Sequence, residues 1–347
     1  GRAPLAYSRP AKATNLEFDL ETGTRGSRNH HAANLICRLT GAQAAVIVNN
    51  CSAAVILVLA ALARDRAVAV SRGELVEIGG GFRVPDVMEE SGARLVEVGT
   101  TNRTRLDDYR TAHQVHQAAL MMKVHPSNYR IRGFTEETSV KSLATLGVPV
   151  VVDLGSGLID DACSWLQEGR PSWLGEEPAV KQTLESGADL VTFSCDKLFG
   201  GPQAGVIAGR SDLVEACANH PLMRAFRPGA LVLNALQQTA LAYLRRDGDS
   251  IPFWRMAQTP VTELLARADA MSIGRTAHTM AMTGGGSLPG EQIPSAGIEI
   301  DGDISRRLRD ANTPVIARVH DQTTVIDLRT VDPGDDSLVV AAVASSI

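Results

Sequence analysis

The sequence predicts an α/β protein, with a mostly parallel sheet flanked by helices and a small C-terminal α+β domain. Three observations predict it. Short apolar stretches of strand length alternate with helical stretches through the first part of the chain. Several of these stretches are apolar along their whole length, as strands covered on both faces are. Polar residues able to do chemistry gather at the ends of the same stretches, where ligands bind in parallel sheets. A chain of 347 residues also exceeds the ~100–200 residues usual for one domain, which fits a large domain with a small one.

The predicted strands run in order through Ala44–Asn49, Ala67–Ser71, Arg94–Val98, Ala118–Met122, Val148–Asp153, Leu190–Ser194 and Gly205–Gly209. Their ends present Asn49-Asn50, Ser71-Arg72, Asp153 and the run from Ser194 to Lys197, which points to one crevice. The large domain is expected over residues 1–230. From Leu231 a long helical segment begins, followed by a stretch punctuated by Pro and Arg and by short strands near Val315–His320 and Thr323–Leu328. Residues 231–347 are therefore expected to form a linking helix and a small α+β domain. A glycine cluster from Gly284 to Gly290 interrupts this part and reads as a loop.

Composition narrows the function. Hydrophobic residues at 44% and charged residues at 21% describe an ordinary globular chain. A net charge of −5 provides no overall basic field, so any contact with RNA needs a local patch. Five cysteines, Cys37, Cys51, Cys163, Cys195 and Cys217, are scattered without CxxC or Cys/His spacing, which predicts a reducing, cytoplasmic setting and no zinc site. His30-His31 has no acidic or sulfur partner at ligand spacing, so no metal is assigned. No apolar run approaches the ~20 residues of a membrane span, and the chain is expected to be soluble. It opens on Gly1-Arg2-Ala3-Pro4 without a methionine, in what reads as the middle of a loop, and is expected to be a truncated form.

Lys197 lies just past an apolar strand and before Gly200-Gly201. A lysine in a crevice loses solvation that favours its ammonium form, so its amine can condense with an aldehyde. Alone, such a lysine is more often a surface-turn residue. Asp153 ends another apolar strand and is followed by Leu-Gly-Ser-Gly; a carboxylate there can pair with the pyridine nitrogen of pyridoxal 5'-phosphate (PLP), although alone it would read as a helix cap. The run Asn49-Asn50-Cys51-Ser52-Ala53-Ala54 leads from a strand into an Ala-rich helix, whose first amides bind phosphate without a basic side chain. Cys51, Ser52 and Ser194 join Lys197 and Asp153 as candidate cofactor residues. Three such pieces at three strand ends favour the cofactor over three coincidences.

Arg224 and Arg227 are three residues apart and share a face if their segment is helical. Two guanidiniums suit a multivalent oxyanion, while a solvated basic surface is the plain alternative. The runs Tyr129-Arg130-Ile131-Arg132 and Ser71-Arg72-Gly73-Glu74 follow strands and are expected to line the crevice. Arg72 and His125 both stand as candidates to stack on a cofactor ring.

Long stretches now carry a resemblance. Asn15 to Arg28, Val70 to Gly80, Glu97 to Thr104, Lys123 to Ile131, the Lys197 segment and Gly284 to Gly290 resemble, in order and over nearly the whole chain, the bacterial L-seryl-tRNA(Sec) selenium transferases. The resemblance implies a fold-type-I PLP-dependent transferase, similar to aspartate aminotransferase, with PLP as a Schiff base on Lys197. It implies dimers assembled into a decamer, with active sites at dimer interfaces. It also implies conversion of L-seryl-tRNA(Sec) to L-selenocysteinyl-tRNA(Sec) through an aminoacrylyl intermediate, with selenophosphate as donor. Asp153 would stabilise the carbanion through the pyridinium, Lys197 would shuttle protons, and Arg2, Arg224 and Arg227 would bind the anion. The chain departs from the family at Cys195, where the family has Gly, at Cys51, where it has Asn, and at Pro228-Gly229-Ala230, where it tends to Val-Asp-Lys. The family's N-terminal tRNA-gripping domain is not represented in these residues. Two rival readings use the same scaffold: a lyase or transferase acting on a small amino acid or amino sugar acid without tRNA, and an inactive PLP-fold subunit.

Overall fold

A computed structural model describes residues 17–18, 22–78, 81–284 and 287–347. Arg2 lies outside the described residues. The chain forms two compact units, one running to Ile251 and taking in the segment around Ser287–Pro289, the other made of Pro252–Gly284 and Gly290–Ile347. The helix expected to open the small domain, Ala230–Leu244, belongs to the first unit, because it packs on the helix His30–Thr40 there.

Thirteen strands are present among the described residues: β1 Ala44–Val48, β2 Ala67–Ser71, β3 Glu77–Ile78, β4 Phe82–Arg83, β5 Arg94–Val98, β6 Leu120–Val124, β7 Val150–Gly155, β8 Leu190–Ser194, β9 Gly205–Gly209, β10 Arg275–Ala281, β11 Ile293–Asp301, β12 Arg318–His320 and β13 Thr323–Asp327. Seven of them build the large sheet in the order β1-β9-β8-β7-β6-β2-β5. All seven were expected from their apolar character. Neighbours from β5 through β8 pair in parallel, whereas β9 runs antiparallel to both β8 and β1. Residues of β2, β7, β8 and β9 are buried along their full length, so both faces of the sheet are covered. The helix Cys51–Leu62 is apolar all round, as befits an element enclosed by β8, β9 and the helices Val84–Ser91 and Ser211–Asn219.

β6 and β7 each run two residues later than the apolar pattern suggests. β7 continues past Asp153 because its pairing to β8 continues, Asp153 opposite Thr192 and Gly155 opposite Phe193, with a register shift between them. Such a bulge re-aims side chains next to a site. Asp153 is therefore held inside the ladder rather than at its frayed end.

The second unit carries an antiparallel sheet, β10-β11-β13-β12. Leu264 from the helix Val261–Met271 and Val343 from the helix Asp336–Ala344 pack with Ile298, Ile326 and Leu328 of this unit. Arg329 is buried there and its guanidinium donates to the carbonyls of Met256, Ala257, Thr259 and Pro294. No helix among the described residues is long and apolar enough to cross a membrane.

Candidate active site

The crevice is built from the carboxyl ends of β1, β6, β7 and β8. Asp153 is 6% exposed. Its Oδ1 accepts from Thr192 Oγ1 at 2.8 Å and from Cys51 Sγ at 3.2 Å. Its Oδ2 receives no hydrogen bond among the described residues, which leaves one carboxylate oxygen available to a ligand. Burial pushes the Asp153 carboxyl above its ordinary range, while the two donors and the charges of Lys197 and His125 pull it back.

Lys197 sits in the turn after β8. Leu198 N–H donates to Ser156 O at 3.0 Å, which ties this turn to the segment following β7. Tyr243 Oη, from the helix Ala230–Leu244, donates to Phe199 O at 2.9 Å and braces it from behind. Gly155 has a left-handed backbone, and a Cβ placed on it would stand 3.5 Å from Ser127 Oγ and 4.0 Å from Lys197 Nζ. The missing side chain thus leaves a space bordered by the hydroxyl and the amine. A Cβ on Gly157 would meet Ser194 O at 2.2 Å, so only glycine lets these two strand ends approach.

At the end of β1, Asn50 caps the helix Cys51–Leu62 by accepting from Ala53 N at 2.8 Å. The cap leaves the amides of Cys51 and Ser52 at the head of a twelve-residue helix to point outward, where an anion is favoured. The Cys51 thiol itself turns to Asp153. Burial and the neighbouring carboxylate push that thiol well above its ordinary range. Ser194 is buried at the end of β8 and its hydroxyl makes no hydrogen bond among the described residues.

The residues brought together suit PLP. A buried carboxylate with a free oxygen, a lysine in a braced turn and open helix-head amides supply the three ends the cofactor needs. Two further hydroxyls, Ser127 Oγ and Ser156 Oγ, are buried without a hydrogen-bond partner.

Arg224 lies in the short helix Leu222–Phe226 and Arg227 follows its end in an extended conformation, so a shared helical face is not what unites them. Both line one cavity of about 510 Å³. Asn49 N–H donates to Phe226 O at 2.8 Å, anchoring this segment at the end of β1. Arg224 and Arg227 have no acidic partner among the described residues. Arg25 and Arg28 line the same cavity and are bridged by Glu17.

Sequence reasoning missed Thr192, Ser127, Glu177, Arg25 and Arg28. Thr192 was hidden as one polar residue in an apolar strand. Of the other expected crevice residues, Glu74 is buried and accepts from Lys123 Nζ at 2.7 Å and Val124 N–H at 2.9 Å. Arg72 is exposed and pairs with Glu97 at 2.9 Å. His125 stands beside Asp153, its N–H bonded to Asp153 O at 2.8 Å.

Comparison with known proteins follows the same lines. The chain is 43% identical over 377 residues to the L-seryl-tRNA(Sec) selenium transferase of Moorella thermoacetica, covering 100% of this chain and 78% of that protein. It is 44% identical over 364 residues to the enzyme of the same name from Hyphomonas neptunium, covering 96% of this chain and 77% of that one. Among solved structures, D-glucosaminate-6-phosphate ammonia-lyase superimposes with a TM-score of 0.65 at 20% identity, covering 98% of this chain and 88% of the other, a likeness of fold. The fold is that of the fold-type-I PLP enzymes. The family model described as L-seryl-tRNA selenium transferase (SelA) matches residues 5–332. A match of that extent, carried by relatives that align along the full chain, settles the kinship: the chain belongs to the L-seryl-tRNA selenium transferase family.

Proposed function

We propose that this chain converts L-seryl-tRNA(Sec) to L-selenocysteinyl-tRNA(Sec), with PLP as cofactor, selenophosphate as selenium donor and Lys197 as the residue that carries the cofactor. The observation that supports this reading best is the meeting of Lys197, Asp153 and the head of the helix Cys51–Leu62 in one crevice, in a chain of this family. In the net reaction the β-hydroxyl of the seryl group is replaced by selenium and phosphate is released.

When bound, PLP supplies an electron sink for charge that develops at the seryl α-carbon. Asp153 offers Oδ2 to the protonated pyridine nitrogen and gains the cationic partner that a buried carboxylate needs. Thr192 and Cys51 hold that carboxylate in place from its other oxygen. The Lys197 amine takes the α-proton at Nζ. Arg224 and Arg227, with Arg2 from the start of the chain, bind the oxyanion of the donor. Ser52 and the amides of Cys51 and Ser52 hold the cofactor phosphate, and Ser194 lines its approach. An assembly of dimers, up to a decamer, and a cytoplasmic location belong to the same proposal.

The test is borohydride reduction of the PLP-saturated protein followed by peptide mapping, then turnover with seryl-tRNA(Sec) and selenophosphate. Pyridoxyl label on Lys197 and formation of the selenocysteinyl ester are expected. Label elsewhere, or turnover of a free amino acid in preference to the tRNA ester, would overturn the assignment.

A further inference from the structure

Glu177 is 6% exposed, yet its carboxylate is poorly served. Its Oε1 is buried without a hydrogen-bond partner, and its Oε2 meets a single side chain, His125, whose Nε2 lies 3.3 Å away. Arg170 donates to the backbone carbonyl of Glu177 at 3.0 Å and not to the carboxylate. A buried carboxylate held by one imidazole is a weak choice for folding, because each unsatisfied oxygen carries a desolvation cost. Departures of this kind concentrate at functional sites.

His125 follows β6, and its backbone N–H is fixed to Asp153 O. The main chain thus sets where the imidazole begins, but not how the ring turns. A carboxylate accepts and does not donate, so Glu177 requires the hydrogen on Nε2 and leaves Nδ1 as the ring's other face to the surroundings. We propose that Glu177 is a positioning residue that locks the His125 imidazole in one orientation beside Asp153, and that this orientation supports cofactor binding. The proposal rests on the reading of the crevice as a PLP site.

The test uses the full chain with Glu177→Gln, which keeps an acceptor oxygen, Glu177→Ala and Glu177→Leu, which remove it, and His125→Asn alone and combined with each. The His125 side chain is 23% exposed, so diethylpyrocarbonate reaches it, and mass spectrometry reads its carbethoxylation in the cofactor-free protein. PLP affinity is measured by absorbance titration, and thermal midpoints check the fold. Glu177→Ala and Glu177→Leu are expected to speed carbethoxylation severalfold and to weaken PLP binding about tenfold, a coupling within the range shown by residues in contact. Glu177→Gln should stay near the parent in both. In the His125→Asn background the same changes should cost little further affinity.

Unchanged His125 reactivity without the acceptor would overturn the proposal, as would penalties of Glu177 and His125 that multiply in the double variants. Leu retains bulk where Ala does not, so a loss of fold in one leaves the other to decide. Failure of the parent protein to take pyridoxyl label on Lys197 would sink the proposed function separately, because the His125 reactivity comparison needs no cofactor.

Discussion

The Cys51 thiol donates to Asp153 Oδ1 at 3.2 Å, so the first side chain of the helix Cys51–Leu62 is engaged by the carboxylate of β7. Two segments 102 residues apart in sequence are thereby joined at the floor of the crevice. The thiol thus serves as a donor to the carboxylate at a position where the resemblance gives Asn.

Asp153 should trade stability for cofactor binding. Its carboxyl lies above its ordinary range because of burial, so the folded protein holds its proton to higher pH than the unfolded chain does. The favourable side of that balance is complete at acid pH, below the unfolded value, and is lost as pH rises through the folded one. Asp153→Asn is therefore expected to raise the melting temperature of the cofactor-free protein by about 2–4 °C near pH 7, with the gain shrinking toward about pH 4. The same change should weaken PLP binding by tenfold or more. Scanning fluorimetry across pH, with and without PLP, reads both.

Cys195 should be chemically silent. Its residue is fully buried, and burial pushes the thiol far above its ordinary range. Burial likewise pushes Cys163 and Cys217 up to about 12. Thiolate is the reactive form, so native protein treated with iodoacetamide near pH 8 should leave these three cysteines unmodified over a time in which the urea-unfolded chain labels all five. Fast labelling of Cys195 in the native state would overturn this expectation.

Arg224 and Arg227 should act on the anionic co-substrate rather than on the aminoacyl ester. Replacing either with Ala is expected to raise KM for selenophosphate about tenfold or more, with a smaller effect on KM for seryl-tRNA, because a charge-assisted contact to an oxyanion is lost. Lys at either position should restore only part, since it offers a point charge in place of a planar fork. Steady-state kinetics with each substrate varied in turn makes the comparison.

Arg329 should matter to the second unit alone. Its guanidinium serves four carbonyls near the end of the helix Pro252–Gln258 and at Pro294. Arg329→Leu strands those acceptors and is expected to cost about 2–4 kcal/mol, seen as a lower urea midpoint, while pyridoxyl labelling of Lys197 persists in the folded fraction.

The large sheet was legible because most of its strands are apolar runs, and so was the place of Lys197 just past β8, whereas Asp153, expected at a strand end, lies inside β7. The direction of β9 was not read, although a signal existed. Ser194 and Gly205 are joined by a turn-rich segment without a helix, and parallel neighbours need a longer crossover. The later ends of β6 and β7 depended on cross-strand pairing, which a single run of residues does not display. Thr192 became visible as a site residue only once Asp153 stood opposite it. Glu177 offered no distinguishing pattern at all, since its importance lies in what surrounds it. Arg25 and Arg28 fell within a stretch already noted for its resemblance, but their meeting with Arg224 required the fold.

Gly205 opens β9 against the turn that heads the helix Cys51–Leu62, where a Cβ would stand 2.2 Å from Asn50 O and 2.7 Å from Cys51 N. The strand returning from the Lys197 turn and the helix head therefore share one backbone seam. Neither can breathe outward without dragging the other, so their amides should exchange with solvent in a single opening event. A cofactor gripped at both ends would then close that seam in one step, and its loss would release both ends together.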